Sequence, residues 1–282
     1  MRRTWNKKIG PYFVWLSTGL MAILGFCASA KALDPNTKDA AKIFDASENR
    51  NIGNKQVAKI TMTLTDSAGR TRERVIQARN LDFDGGKKTL MLFESPADLR
   101  NTGFLSVDYD DPNKDDDQWL YLPALHRTTR VASSDKSGSF MGTDISYSDM
   151  TKKDVKAYDV KMLAFSEKVD GADCWVLEAT PNTAKEKKET GYTKVQVWIN
   201  KANLSPMQHK AWIAKGNRVK YIKWTEQKLV DGVWVPMKTI VRTMKDEQKV
   251  ESTTIMQFNS ISFNQPSVQD SEFTQSRLEK GL

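Results

Sequence analysis

Cysteine and histidine are scarce in this sequence, with two residues of each among 282. Cys27 lies in an apolar N-terminal stretch, which leaves Cys174 without a partner for an intramolecular disulfide. Zinc sites need three or four His, Cys or carboxylate ligands at short spacing, and His126 and His209 stand apart from any such group. A Gly-rich phosphate loop, a nucleophile elbow and a dinucleotide fingerprint are also missing from the sequence. We therefore expect a fold held by its hydrophobic core, with no cofactor, no metal site and no enzymatic activity.

Positive charge is concentrated at the N-terminus. Residues 1–32 contain five of the 43 basic residues and no acidic residue, so the remaining 250 carry 38 basic and 35 acidic side chains, a net charge of only +3. The densest later charge run, Lys185–Glu189, mixes both signs, unlike a stripe that follows a phosphate backbone. We expect no nucleic-acid partner.

Residues 1–32 have the three parts of a secretory signal peptide. Arg2, Arg3, Lys7 and Lys8 precede an apolar stretch from Pro11 to Phe26, and small residues follow at positions 28, 30 and 32. The stretch is too short and interrupted for a membrane span, and nothing near ~18 apolar residues recurs later. We expect export with cleavage before Lys31 or Leu33. The alternatives are an uncleaved N-terminal anchor and lipidation at Cys27, for which the preceding Phe26 is a poor match.

The rest of the chain, 33–282, has the hydrophobic pattern of a single mainly β domain. Lys38–Asn49 has helical spacing of its apolar residues, after which the period changes to two. About a dozen short strands follow, from Lys59–Thr65 to Lys249–Phe263, and Asp-Gly and similar turn sequences separate many of them. Helical patches are predicted at Pro96–Arg100, around Ser148–Tyr158 and at Asp270–Lys280. This order predicts an antiparallel sheet that curls or closes.

Apolar and aromatic residues on the predicted strands are the strongest remaining signal. Leu90–Phe93 is apolar at every position, which indicates a strand covered on both faces. Seven Trp and Tyr side chains fall on predicted strands: Trp119, Tyr121, Trp175, Trp198, Trp212, Trp224 and Trp234. Most belong to an ordinary core, but flexible Met and broad aromatic faces also suit a cavity for variable apolar ligands.

Five stretches of the sequence carry a family resemblance: Leu92–Pro96, Thr102–Leu105, Gln118–Pro123, Arg127–Val131 and Ser139–Asp144. They resemble the outer-membrane lipoprotein-sorting protein family, that is, LolA-like proteins, and most closely its larger, poorly characterised branch. Trp119, Tyr121 and Pro123 match the family's Trp-x-Tyr-x-Pro. Pro96 matches its Arg-Pro, but Ser95 stands in place of the arginine that helps to hold the lid closed in the archetypal carrier.

The resemblance implies an incomplete antiparallel β-barrel enclosing an apolar cavity covered by helices. It implies a periplasmic, monomeric carrier that binds lipid or the acyl chains of lipoproteins for transfer towards the outer membrane. The residues expected to line the cavity are Leu92, Phe104, Trp119, Tyr121 and Phe140. Two alternatives stay open: a periplasmic sensor or accessory subunit of an inner-membrane exporter of the RND type that uses the same barrel to bind protein, and a secreted β-rich hydrolase with clustered carboxylates.

Overall fold

Thirteen antiparallel strands dominate the computed structural model, which describes residues 33–282. The expected signal peptide lies outside the described residues. Leu33–Leu282 forms one compact unit, and the domain boundary at residue 32 stays a prediction. The helices are α1 (Ala40–Glu48), α2 (Ala184–Thr190) and α3 (Gln275–Lys280). The strands are β1 (Gln56–Asp66), β2 (Thr71–Phe83), β3 (Gly86–Ser95), β4 (Gly103–Tyr109), β5 (Asp117–Leu122), β6 (Arg127–Arg130), β7 (Tyr158–Val169), β8 (Ala172–Pro181), β9 (Tyr192–Asn200), β10 (Pro206–Ile213), β11 (Arg218–Val230), β12 (Val233–Lys245) and β13 (Lys249–Ser262).

All thirteen strands form one sheet, in the order β6-β5-β4-β3-β2-β1-β13-β12-β11-β10-β9-β8-β7. Nearly every neighbour in space is a neighbour in sequence, and the exception is the pairing of β1 with β13. The sheet is therefore two meanders joined in its middle. Its two edges, β6 and β7, do not pair with each other, so the expected incomplete barrel is confirmed as an open antiparallel sheet.

Tight Asp-Gly turns set the register of two hairpins. At Asp170-Gly171 and Asp231-Gly232 both residues have positive φ, between 49° and 85°. This is the geometry of a two-residue turn that matches the right-handed twist of the flanking strands, and Asp followed by Gly adopts it readily. The turns therefore fix which side chains share a face next to the turn in β7–β8 and along β11–β12.

Two separate layers cover the sheet, and they define its faces. The inner face carries α1 and the segment 137–157; its largest apolar clusters centre on Trp175 and on Phe93. The outer face of β2–β5 carries the C-terminal segment with α3, whose Leu278 is fully buried against Leu92 and Leu105. The strands β2–β4 are covered on both sides, which explains the uninterrupted apolar run Leu90–Phe93.

The helices differ in part from the expectation. α1 lies within the predicted Lys38–Asn49, and α3 within Asp270–Lys280. The prediction at Pro96–Arg100 is wrong, since turns connect β3 to β4 there, and Ser148–Tyr158 contains only short 3₁₀ turns. α2 was not predicted, because its residues are polar on every side. Among residues 33–282, the helices are too short to cross a membrane.

Candidate functional site

A cavity of about 210 Å³ lies on the inner face between α1 and the segment 149–153. Its apolar wall comes from one residue of the helix and from alternate positions of two strands, β9 and β11, that flank β10: Phe44, Val195, Val197, Ile222 and Trp224. Side chains two apart on a strand share a face, so β9 and β11 each contribute a pair. The cavity is therefore a direct product of the strand pattern.

His209 brings a polar group into this apolar wall. It pairs across the sheet with Val197 on one side and Ile222 on the other, and its ring stacks on Trp224 with centroids 6.3 Å apart. Burial lowers its pKa from 6.5 to about 4; the negative charge of Asp149 acts against this shift, and the positive charges of Lys153 and Lys220 add to it. The imidazole is therefore neutral at neutral pH, and the cavity is uncharged at this point.

A buried ion pair closes one end of the cavity. Lys220 Nζ donates to Asp149 Oδ2 at 2.6 Å and to the hydroxyl of Tyr192 at 2.7 Å, and that hydroxyl donates to Asp149 Oδ1 at 2.7 Å. Burial acts to raise the pKa of Asp149, but the charges of Lys220 and Lys153 outweigh it and hold the pKa below its usual range. In this charged triangle each group is thus hydrogen-bonded to the other two, which offsets the cost of burying the pair.

Away from this wall, the inner face continues as a half-buried apolar strip formed by Trp224, Met237, Met256 and Phe258. Strand pairing places these residues on one surface, since Thr239 lies opposite both Trp224 and Met256. Flexible Met beside aromatic rings is a surface that adapts to apolar chains of different shape. The cavity and this strip together form a longer apolar track.

Phe104 and Phe140, two of the five residues expected from the sequence, meet on the inner face. Their ring centroids are 5.2 Å apart, and Tyr147 packs edge-on against Phe140 at 5.6 Å. Both Phe side chains are fully buried. They fasten the segment 137–157 to the sheet, and a hydrogen bond of 2.8 Å from Arg74 Nη1 to the carbonyl of Met141 adds to this contact.

Leu92, Trp119 and Tyr121 lie on the outer face, under the C-terminal segment. Trp119 pairs across the sheet with Leu105, and all three belong to the cluster around Leu278. Leu92 also lines a smaller cavity of about 130 Å³ beside Arg277. The five expected residues are therefore divided between two faces, and a ligand-binding role for them stays a prediction.

Sequence reasoning missed the polar residues of the cavity. His209 was expected only to lie outside any zinc site, and Lys220 was not singled out. The available signal was the period of two in β11, where Arg218, Lys220, Ile222 and Trp224 share one face. The contact with Asp149 spans 71 positions and could not be read from spacing.

Comparison with known proteins adds sequence and structural relatives. A family model described as uncharacterized protein matches residues 85–280. An outer membrane lipoprotein-sorting protein domain from Vibrio parahaemolyticus is 28% identical, with a TM-score of 0.75 over 85% of this chain and 98% of that chain. A DUF1329 family protein from Desulfovibrio piger is 27% identical, with a TM-score of 0.76 over 87% of this chain and 100% of that chain.

A third solved structure, a LolA superfamily protein from Nitrosomonas europaea, shares the fold at 18% identity, with a TM-score of 0.60 over 84% of this chain and 98% of that chain. No curated protein matches the sequence. The matched range 85–280 runs from β3 through α3 and includes most of the cavity wall. The family model covers most of the chain, so the chain belongs to the family that this model describes, and its open sheet with a covered inner face is the LolA-like fold of these relatives.

Proposed function

We propose that this protein is a periplasmic carrier that binds lipid, or the acyl chains of lipoproteins, and delivers them towards the outer membrane without catalysis. The observation that carries the proposal is the inner-face cavity, whose wall is formed by Phe44, Val197, Ile222 and Trp224. The Vibrio parahaemolyticus relative, a lipoprotein-sorting domain, supports the same class of cargo. Export with cleavage before Lys31 or Leu33 belongs to the proposal.

The size of the cavity limits how much of a chain it can hold. A volume of about 210 Å³ accommodates roughly six or seven groups of the size of a water molecule. Burying about six methylene groups contributes ~5 kcal/mol, which by itself corresponds to only submillimolar binding. Micromolar affinity therefore requires the rest of the chain to lie along the apolar strip that ends at Phe258.

Release requires that part of the cover can move. The cover here is the segment 137–157, which has only 3₁₀ turns between its extended parts. Its apolar attachment to the sheet is the aromatic group of Phe104, Phe140 and Tyr147. We assign Phe104 and Phe140 to this attachment, and Leu92, Trp119 and Tyr121 to the outer layer, where the Trp119 variant discussed below tests a ligand contact.

Filling the cavity tests the proposal. Val197→Phe places a ring in the space that an acyl chain would use, whereas Val250→Phe makes the same change at a position that is 42% exposed and outside the cavity. A fluorescent fatty-acyl probe should bind the wild type and Val250→Phe equally, and Val197→Phe about tenfold or more weakly, a loss of at least ~1.4 kcal/mol.

The folded fraction must be known before affinities are compared, because overpacking costs about 1–3 kcal/mol of stability. Chemical denaturation of both variants gives that fraction. Equal probe affinity in all three proteins would contradict the cavity as the binding site.

Native mass spectrometry of protein purified from its own periplasm identifies the cargo. A co-purifying lipid supports the carrier, whereas an empty sheet with a bound protein supports the sensor or accessory subunit. The intact mass from the same sample gives the N-terminus, which we expect at Lys31 or Leu33; an acylated Cys27 would contradict cleavage there.

A further inference from the structure

A second, polar groove of about 710 Å³ lies on the inner face, on the other side of the Asp149–Lys220 wall. Five cationic side chains line it: Lys215, Arg218, Lys220, Lys245 and Lys249. We call it the basic groove. It lies between the ends of β10–β13 and the segment 137–146, which contributes mostly Ser and Thr hydroxyls.

The two carboxylates that line the basic groove are already engaged. Asp144 accepts hydrogen bonds from the hydroxyls of Thr243, Ser252 and Thr254. Glu251 forms an ion pair with Arg218 at 2.5 Å. Among residues 33–282, no ion pair involves Lys215, Lys245 or Lys249. The groove therefore has an uncompensated positive charge.

Lys245 and Lys249 are direct cross-strand partners at the β12–β13 turn. Like charges directly opposite each other destabilise a hairpin. The neighbouring acid Glu247 does not relieve them, because its carboxylate accepts from Lys210 Nζ at 2.8 Å and from Trp212 Nε1 at 3.0 Å on the outer face. The arrangement directs the acid outwards and leaves both lysines at the groove, where a bound anion would offset their repulsion.

We propose that the basic groove binds a phosphate-type anionic group. A phosphate accepts several hydrogen bonds at once, and the groove offers ammonium groups together with the hydroxyls of Ser67 and Ser137. Because Lys220 borders the groove and also closes the apolar cavity, the anion has two possible sources. One is the headgroup of the carried lipid, which rests on the proposed function; the other is a soluble phosphate compound, which does not.

Charge removal at the groove is the first part of the test. Lys245→Gln/Lys249→Gln removes two charges from the groove. Lys187→Gln/Lys188→Gln removes two from the exposed surface of α2 and serves as the matched control. All four lysines are exposed, so both double variants should fold, which circular dichroism checks.

The ligands are inorganic phosphate, a short-chain phosphatidic acid and the diacylglycerol with the same chains, titrated calorimetrically. Phosphatidic acid should bind the wild type and the control alike, and the Lys245/Lys249 variant about tenfold more weakly, with the difference shrinking as salt rises from about 20 to about 200 mM. Diacylglycerol should bind all three proteins equally.

The outcomes separate the two proposals. Phosphatidic acid bound more tightly than diacylglycerol, with little binding of inorganic phosphate, assigns the groove to the lipid headgroup; comparable binding of inorganic phosphate assigns it to a soluble anion. If phosphate binds but diacylglycerol does not, the proposed carrier function is contradicted, whereas the proposed anion site in the basic groove is supported. The proposed anion site would be contradicted if phosphatidic acid and diacylglycerol bound equally well. It would also be contradicted if the control variant lost as much affinity for phosphatidic acid as the Lys245/Lys249 variant.

Discussion

Gly103 and Leu278 form a closely matched pair under the C-terminal helix. Leu278 is fully buried on the outer face, and Gly103 begins β4 directly beneath it. A Cβ atom added at Gly103 would overlap Leu278 Cδ1 and would lie 3.1 Å from Leu92 Cδ2. The absence of a side chain at residue 103 therefore makes room for Leu278.

The two single substitutions should each destabilise the protein. Leu278→Ala empties a buried site, which costs about 2–5 kcal/mol of unfolding free energy. Gly103→Ala adds a methyl group to an occupied space, which costs about 1–3 kcal/mol. The new methyl group at residue 103 would fill part of the volume that Leu278 leaves. We therefore expect the double variant to be more stable than additivity predicts by at least about 1 kcal/mol.

Chemical denaturation of the wild type, the two single variants and the double variant measures this coupling. A matched control combines Gly103→Ala with Leu177→Ala, a fully buried leucine in the separate cluster under α1. Those two changes should add within about 0.5 kcal/mol, because the residues share no neighbours. Additive effects for Gly103 and Leu278 would refute the packing described here.

Three further predictions concern single side chains. Trp119→Ala removes a half-buried side chain of the outer layer, so it should cost less than the ~3–5 kcal/mol of emptying a core aromatic site and should leave binding of the acyl probe in the inner-face cavity unchanged; weaker binding in the folded fraction would place a ligand contact on the outer face. Burial, and then Asp116, raise the pKa of Asp108 from 3.8 to about 7, so the wild type should lose stability as pH rises from about 4 through 7. Asp108→Asn should therefore be about 2–4 kcal/mol more stable than the wild type at pH 8 and similar to it at pH 4. Urea denaturation that gives the same difference in unfolding free energy between the two proteins at both pH values would contradict this. Burial lowers the pKa of His209 to about 4, so stability present above pH 6.5 is lost as pH falls towards 4; His209→Phe should lack that part of the acid sensitivity, and an unchanged pH profile of the denaturation midpoint would count against it.

The strands were predictable because the period of two is strong and local. Every predicted strand from Lys59–Thr65 to Lys249–Phe263 overlaps an observed one, and the Asp-Gly turns fall where expected. α2 was not predictable from hydrophobic period, since its stability comes from the Thr183 cap and from contacts with the sheet. Pro96–Arg100 has helical composition, but the seven residues between β3 and β4 form only turns.

The sequence predicted the kind of site, an apolar cavity, but not the residues that form it. Family resemblance pointed to an apolar cavity, yet the residues chosen from it fall on both faces. Leu92 and Phe104 illustrate the reason: Phe104 pairs with Met91, the neighbour of Leu92, so the two side chains point to opposite sides of the sheet. Alternation shows that β3 and β4 are buried on both sides, but only the tertiary fold shows which cover lies on which face.

Strand β11 shows how one alternating pattern can serve both proposed sites. Arg218 and Lys220 border the basic groove, whereas Ile222 and Trp224 line the apolar cavity. Burying Lys220 among these groups costs desolvation, and only a complete set of partners offsets it. Asp149 and Tyr192 accept two hydrogen bonds from its ammonium group, so the lysine is held at the boundary instead of pointing into the cavity. The ion pair therefore contributes little to stability. Its role is to keep the apolar cavity and the proposed anion-binding groove adjacent but separate, which a protein that holds both ends of an amphipathic molecule requires.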